Sequence, residues 1–126
     1  MLFRSVVDKK HSVPFPGIDL RTHIEWTEFY GADALIVSGR FTGSAPDVEK
    51  VREARACAKR PILIGSGTSA DNVAAFLEHA DGIIVGTSLK KDGVMQNEVD
   101  AGRVRALMNN VQPVRERAAA RASSPR

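Results

Sequence analysis

The sequence predicts an α/β chain of four successive βα units, half of a closed (β/α)8 barrel, and three observations carry that reading. First, ADALIVSG (residues 32–39), PILIGSG (61–67) and DGIIVGTSL (81–89) are nearly continuous apolar runs. That pattern belongs to parallel strands covered on both faces, not to half-exposed antiparallel ones. Second, each run is followed by a helix-compatible segment, and ADALIVSG repeats almost position for position in ADGIIVGT (80–87). Third, the last two strands both break into glycine and hydroxyl residues, an arrangement that forms a phosphate-binding cup after the final strands of many (β/α)8 barrels.

The elements follow in order. LFRSVV (2–7) is the first strand candidate. A helix from about Asp19 to Tyr30 ends at Gly31, a residue suited to the left-handed position just past a helix end. The second helix opens at Ser44-Ala45-Pro46-Asp47, with Ser44 as N-cap, an early proline and an acidic first turn. It carries Val48, Val51 and Ala54, runs to Lys59 and is stopped by Pro61. The third begins at Thr68-Ser69-Ala70-Asp71 and places Val73, Ala74, Phe76 and Leu77 on one face. The fourth follows Asp100 and spaces Val104, Leu107, Met108 and Val111 helically. Parallel strands joined through helices require right-handed crossovers. Four units are half of a barrel that takes about 250 residues. An open sheet of four would expose two edges and an inner face. A second copy, giving a homo-oligomer, or a missing N-terminal half would cover that surface, and strand residues as early as Leu2 favour the missing half. A small doubly wound sheet, with helices on both faces, is the other topology the pattern permits.

Composition narrows the function classes. Of 126 residues, 43% are apolar and 26% charged, ordinary for one globular domain. No apolar run approaches the roughly 20 residues of a transmembrane helix, and the N-terminus is too short in apolar residues for a signal peptide. A cytoplasmic location is expected. Cys57 is the single cysteine and sits in a helical segment, which fits a reducing compartment and a structural thiol. The net charge of +3 resides in the tail, where Arg115, Arg117, Arg121 and Arg126 outweigh Glu116. The domain is therefore assigned to residues 1–112 and a flexible basic tail to 113–126. Aromatic residues are scarce and do not alternate with basic ones, so no nucleic-acid partner is expected.

Three groups of residues carry candidate chemistry. Gly65, Ser66, Gly67 and Thr68, with Gly86, Thr87 and Ser88, offer backbone N–H groups and hydroxyls at two adjacent strand ends. Glycine lets the backbone approach a ligand, and the helix starting near Ser69 would add a positive dipole end. A small phosphorylated ligand is the expected occupant. Asp8 and Lys10 alternate onto one face at the end of the first strand, where a carboxylate and an ammonium can move protons or hold a polar substrate. Against that stands a structural ion pair at the strand end. Arg40 and Thr42, in the loop after the second strand, and Lys90, in the polar loop 89–97, complete the substrate-loop candidates. Loop 89–97 has the composition of a lid. His11, His23 and His79 show no ligand spacing with one another or with Cys57, so neither a metal nor a cofactor is expected. Asp33 and Asp81 precede strands and belong to the opposite, stability end.

The run from ADALIVSGRFTG through PILIGSGTSADNVAAFL to ADGIIVGTSLKKDGVMQNEVDAGRVRALM resembles the C-terminal half of the BtpA/SgcQ family. The GTSLKKDG block (86–93) and the Asn97-Glu98-Val99-Asp100 turn are its most specific part, and DKKHS (8–12) resembles the family's mid-barrel strand ending in a Lys-His pair. The resemblance implies a (β/α)8 barrel with these strands as the fifth to eighth. It also implies two functional settings. One branch of the family is tied to photosystem I accumulation, as a non-enzymatic assembly or stability factor would be. Another belongs to a sugar-catabolic gene cluster, which fits a phosphorylated sugar or nucleotide derivative as ligand. No reaction is assigned.

Overall fold

The computed structural model describes residues 3–5, 16–39 and 44–123. The chain alternates strands and helices: β1 (Phe3–Ser5), α1 (Leu20–Phe29), β2 (Ala34–Val37), α2 (Val48–Cys57), β3 (Ile62–Ile64), α3 (Val73–Leu77), β4 (Gly82–Ile83) and α4 (Ala101–Ser123). All neighbouring pairs are parallel, and the strand order in space is the order in the chain.

That order decides the topology. With right-handed crossovers, strands added one after another in the same direction place every helix on the same side of the sheet. Burial agrees. Leu35, Val37, Ile62 and Ile64 point to that side and form one core with Ile24 of α1, Val51 and Ala54 of α2 and Phe76 of α3. A second core joins Val73, Leu107 and Val111 to Ile83 and Val85. The alternate residues, Ile36 and Leu63, face the other way and stay half-buried, while Ile84 beyond them is exposed. The doubly wound alternative is therefore excluded: its helices would cover both faces.

Local signals account for most boundaries. Asp19 caps α1, its Oδ1 accepting from the Thr22 N–H at 2.8 Å. Hydrogen bonds from the side chain and backbone of Thr22 hold its pKa below the usual carboxylate value. Gly31 follows at φ +84, the left-handed conformation expected there. In α2 the cap is Asp47, which accepts from the Glu49 N–H, and not Ser44; the helix ends at Cys57, two residues before Lys59. The third helix is only five residues long, because Asn72 folds the preceding segment into a turn. Asp100 starts α4 by accepting from the Arg103 N–H at 2.9 Å, which lowers its pKa. This helix runs through Pro113 to Ser123, past the boundary drawn at Gln112. Val114 extends the buried stripe of Leu107 and Val111, while Met108 turns outward. Beneath the sheet, Asp81 Oδ2 accepts from the Ile62 N–H and from Arg55, tying α2, β3 and the start of β4 together. Asp81 is a structural residue, as its position before the strand implies.

Single-sided packing makes a testable contrast between adjacent residues of the sheet. Leu35 is fully buried on the helix face; Leu35→Ala should cost about 2–5 kcal/mol in urea unfolding. Leu63→Ala, on the open face, should cost less than half as much. Equal losses would mean that both faces are packed.

Candidate functional site

The loops that leave β3 and β4 meet at the carboxyl ends of the strands and enclose a cavity of about 440 Å³. Gly65, Ser66, Gly67 and Thr68 form one wall, and Gly86, Thr87 and Ser88 the other. The structure thus brings together all seven residues singled out at these two strand ends. Among the described residues, no acceptor is found for the backbone N–H groups of Ser66, Gly67, Thr68, Gly86, Thr87 and Ser88. Thr87–Leu89 is a single 3₁₀ turn, which leaves its first amides without partners by construction.

Several contacts hold this shape. The Ser88 hydroxyl donates to the Thr68 carbonyl at 2.6 Å and bridges the two walls. Its proton is used there, so the backbone N–H is what Ser88 offers the cavity. Asn72 donates to the Gly67 carbonyl and accepts from the Ser69 N–H, closing the β3 loop on itself. From α4, Asn110 donates to the Ala70 carbonyl and Arg103 to the Ser88 carbonyl. Gly67 sits at φ +67, and a Cβ there would lie 2.1 Å from the backbone nitrogen of Ala45. Glycine is obligatory at this crossing of two loops. A Cβ on Gly86, by contrast, meets nothing within 4 Å.

One side chain in the cavity wall is unsatisfied. Thr68 is 3% exposed, and its Oγ1 has no hydrogen-bond partner among the described residues. A buried hydroxyl without a partner costs about 1–3 kcal/mol, so a polar atom entering the cup would relieve it. The positive helix end expected near Ser69 contributes little: α3 begins only at Val73 and spans barely more than one turn.

Other candidates are distributed differently. Lys90 does not line the cavity; its backbone pairs with Val99 in an antiparallel bridge. The segment after it is a hydrogen-bonded loop rather than a loose lid. Lys91 N–H donates to the Glu98 carbonyl, Asn97 Nδ2 to the Lys91 carbonyl, and Asp92 and Gly93 turn through consecutive left-handed conformations. The Lys91 ammonium pairs with Glu98 at 3.2 Å. Asp8, Lys10, His11, Arg40 and Thr42 lie outside the described residues. Sequence reasoning missed Ile84, Gly93 and Met95, which line the cavity as well. Ile84 was legible as a strand residue of the inner parity, but the placement of Met95 depends on how the Asp92-Gly93 turn folds. Asn72, too, read only as part of a helix.

Parallel strands ordered as in a barrel, with a polar cleft at their carboxyl ends, define an α/β protein of TIM-barrel type. A structure of that type, (S)-3-O-geranylgeranylglyceryl phosphate synthase from Thermoplasma acidophilum in complex with its substrate sn-glycerol-1-phosphate, aligns with a TM-score of 0.61. The likeness covers 74% of this chain and 37% of that one at 14% identity, and it shows the fold alone. The profile of the BtpA family matches residues 2–113, and the chain belongs to that family. It is 39% identical over 110 residues to an uncharacterized protein of Thermococcus kodakarensis, covering 87% of this chain and 42% of that protein. It is also 39% identical over 101 residues to the photosystem I biogenesis protein BtpA of Synechocystis, covering 79% of this chain and 35% of that protein. The chain spans about two-fifths of the length of the curated relatives it matches. Among the described residues, no helix is long and apolar enough to cross a membrane.

The two glycines should respond oppositely to a methyl group. Gly67→Ala should lose about 1–3 kcal/mol from its left-handed backbone alone, and more from the clash with Ala45. Gly86→Ala should fall well short of that loss. Thermal unfolding of the two variants checks the contrast, and similar midpoints would mean the loops do not cross so closely.

Proposed function

We propose that this chain binds a small phosphorylated metabolite, a sugar or nucleotide derivative, at the cup between the ends of β3 and β4. The unpaired amides and the orphaned Thr68 hydroxyl carry this reading, because they supply donors that no described residue receives. A structural neighbour solved with a glycerol phosphate adds support. In this reading Gly65, Ser66, Gly67, Thr68, Gly86, Thr87 and Ser88 hold the phosphate. Asp8 and Lys10 face the reactive part, while Arg40 and Thr42 add substrate-loop contacts; Lys90, which bridges to Val99, stays outside the lining.

The four strands correspond in this proposal to the fifth to eighth of a barrel, with the open face covered by a first half or by a second copy. The uncovered parity of Ile36, Leu63 and Ile84 supports it. A second reading, an assembly factor acting through its surface, is favoured by the name of the cyanobacterial relative.

Thermal unfolding in the presence of inorganic phosphate, sugar phosphates and nucleotides tests the main reading. A ligand at ten times its Kd should stabilise the fold by about 1.4 kcal/mol, roughly 4–6 °C for a domain of this size. Gly86→Leu, which directs a side chain into the cup, should abolish the shift. A folded Gly86→Leu protein that retains full biological function would favour the assembly reading, and no shift with any anion would reject the cup.

A further inference from the structure

Among the described residues the lining of the cup is uncharged: its polar members are glycines, serines and threonines, and no described Lys, Arg, Asp or Glu contributes to it. Two nearby cations are engaged elsewhere: Arg103 donates to the Ser88 carbonyl, and Lys91 pairs with Glu98. Neutral donors at two strand ends can surround the oxygens of a single phosphoryl group. A second phosphoryl group would bring further charge against a described wall that holds no counter-charge, at a desolvation cost that its amides and hydroxyls alone do not offset.

The rest of the lining is apolar. Ile84 is 49% exposed and Met95 59% exposed, and both border the same cavity as the donors. Met95 is carried there by the loop that turns at Asp92 and Gly93. Ile84 shares its strand face with Gly82 and Gly86. The cavity, at about 440 Å³, falls within the usual range for small-molecule sites and has room well beyond one tetrahedral oxyanion. Large apolar side chains at the rim of a polar cup reward a ligand that covers them.

Resting on the reading above, we infer that the cup takes a phosphate monoester whose organic part is apolar and lies against Ile84 and Met95. Within the phosphorylated metabolites proposed above, a monophosphate whose organic part presents an apolar face is a better fit than one fully clothed in hydroxyls, and a monophosphate fits better than a di- or triphosphate. Thr68 and the paired-strand amides fix the phosphoryl group. The organic part is selected by contact area.

Calorimetric titration of the full chain with four probes tests this: inorganic phosphate, pyrophosphate, glycerol phosphate and phenyl phosphate. Phenyl phosphate should bind at least tenfold more tightly than glycerol phosphate, and pyrophosphate no more tightly than inorganic phosphate. In Met95→Ser, a change on an exposed loop, the ratio of phenyl phosphate to inorganic phosphate affinity should fall at least threefold. If inorganic phosphate binds but phenyl phosphate gains nothing over glycerol phosphate, or pyrophosphate binds more tightly, or the Met95→Ser ratio holds, the inference is overturned while the phosphate cup stands. If none of the four binds, both fall.

Discussion

Everything in this structure depends on one constraint of chirality: parallel strands laid down in chain order by right-handed crossovers must carry their helices on one face. The core then forms between sheet and helices, through Leu35, Val37, Ile62 and Ile64 against Ile24, Val51, Ala54 and Phe76. Burying each such side chain contributes about 1.5–3 kcal/mol, and nearly all of that gain lies on one side. The opposite face keeps the same apolar chemistry in Ile36 and Leu63, which stay half-buried, and in Ile84, which is exposed. The same geometry collects the carboxyl ends of the strands on a single rim. A cup at that rim is a product of the topology as much as of its own residues.

The cup itself is shaped from outside. Asn72 closes the β3 loop, the Ser88 hydroxyl ties the two loops together, and Asn110 and Arg103 brace them from α4. Gly67 permits the crossing with Ala45, whereas Gly86 opens onto the cavity. With carbonyls and side chains used in bracing, the donors left over are amides and one buried threonine hydroxyl. This division of labour, acceptors spent on the scaffold and donors spared, is the basis of the proposal that the site takes an anion.

How much of this was legible in the sequence depended on the kind of signal. Continuous apolar runs gave the parallel strands, and Asp19, Gly31 and Asp100 marked helix ends because capping is local chemistry. The seven cup residues were legible because glycine and hydroxyls at two strand ends must share a rim. Boundaries set by competition were not. Asp47 took the cap that Ser44 was expected to hold, and Asn72 shortened α3 by folding Ser69 and Gly67 around its amide. The basic stretch 113–126 read as a tail, yet α4 continues through Pro113 to Ser123, with Val114 buried on it. Met95 was invisible because its position is set by two left-handed residues in a loop, not by any periodicity.

The claim on which the account turns is that spared amides at two adjacent strand ends form one anion site. Amide chemical-shift mapping of the isotopically labelled chain, titrated with inorganic phosphate, tests it most directly. The account predicts that Ser66, Gly67, Thr68, Gly86, Thr87 and Ser88 shift together along one saturation curve. Shifts confined to one of the two loops, or centred on the arginines of the C-terminal helix, would contradict it.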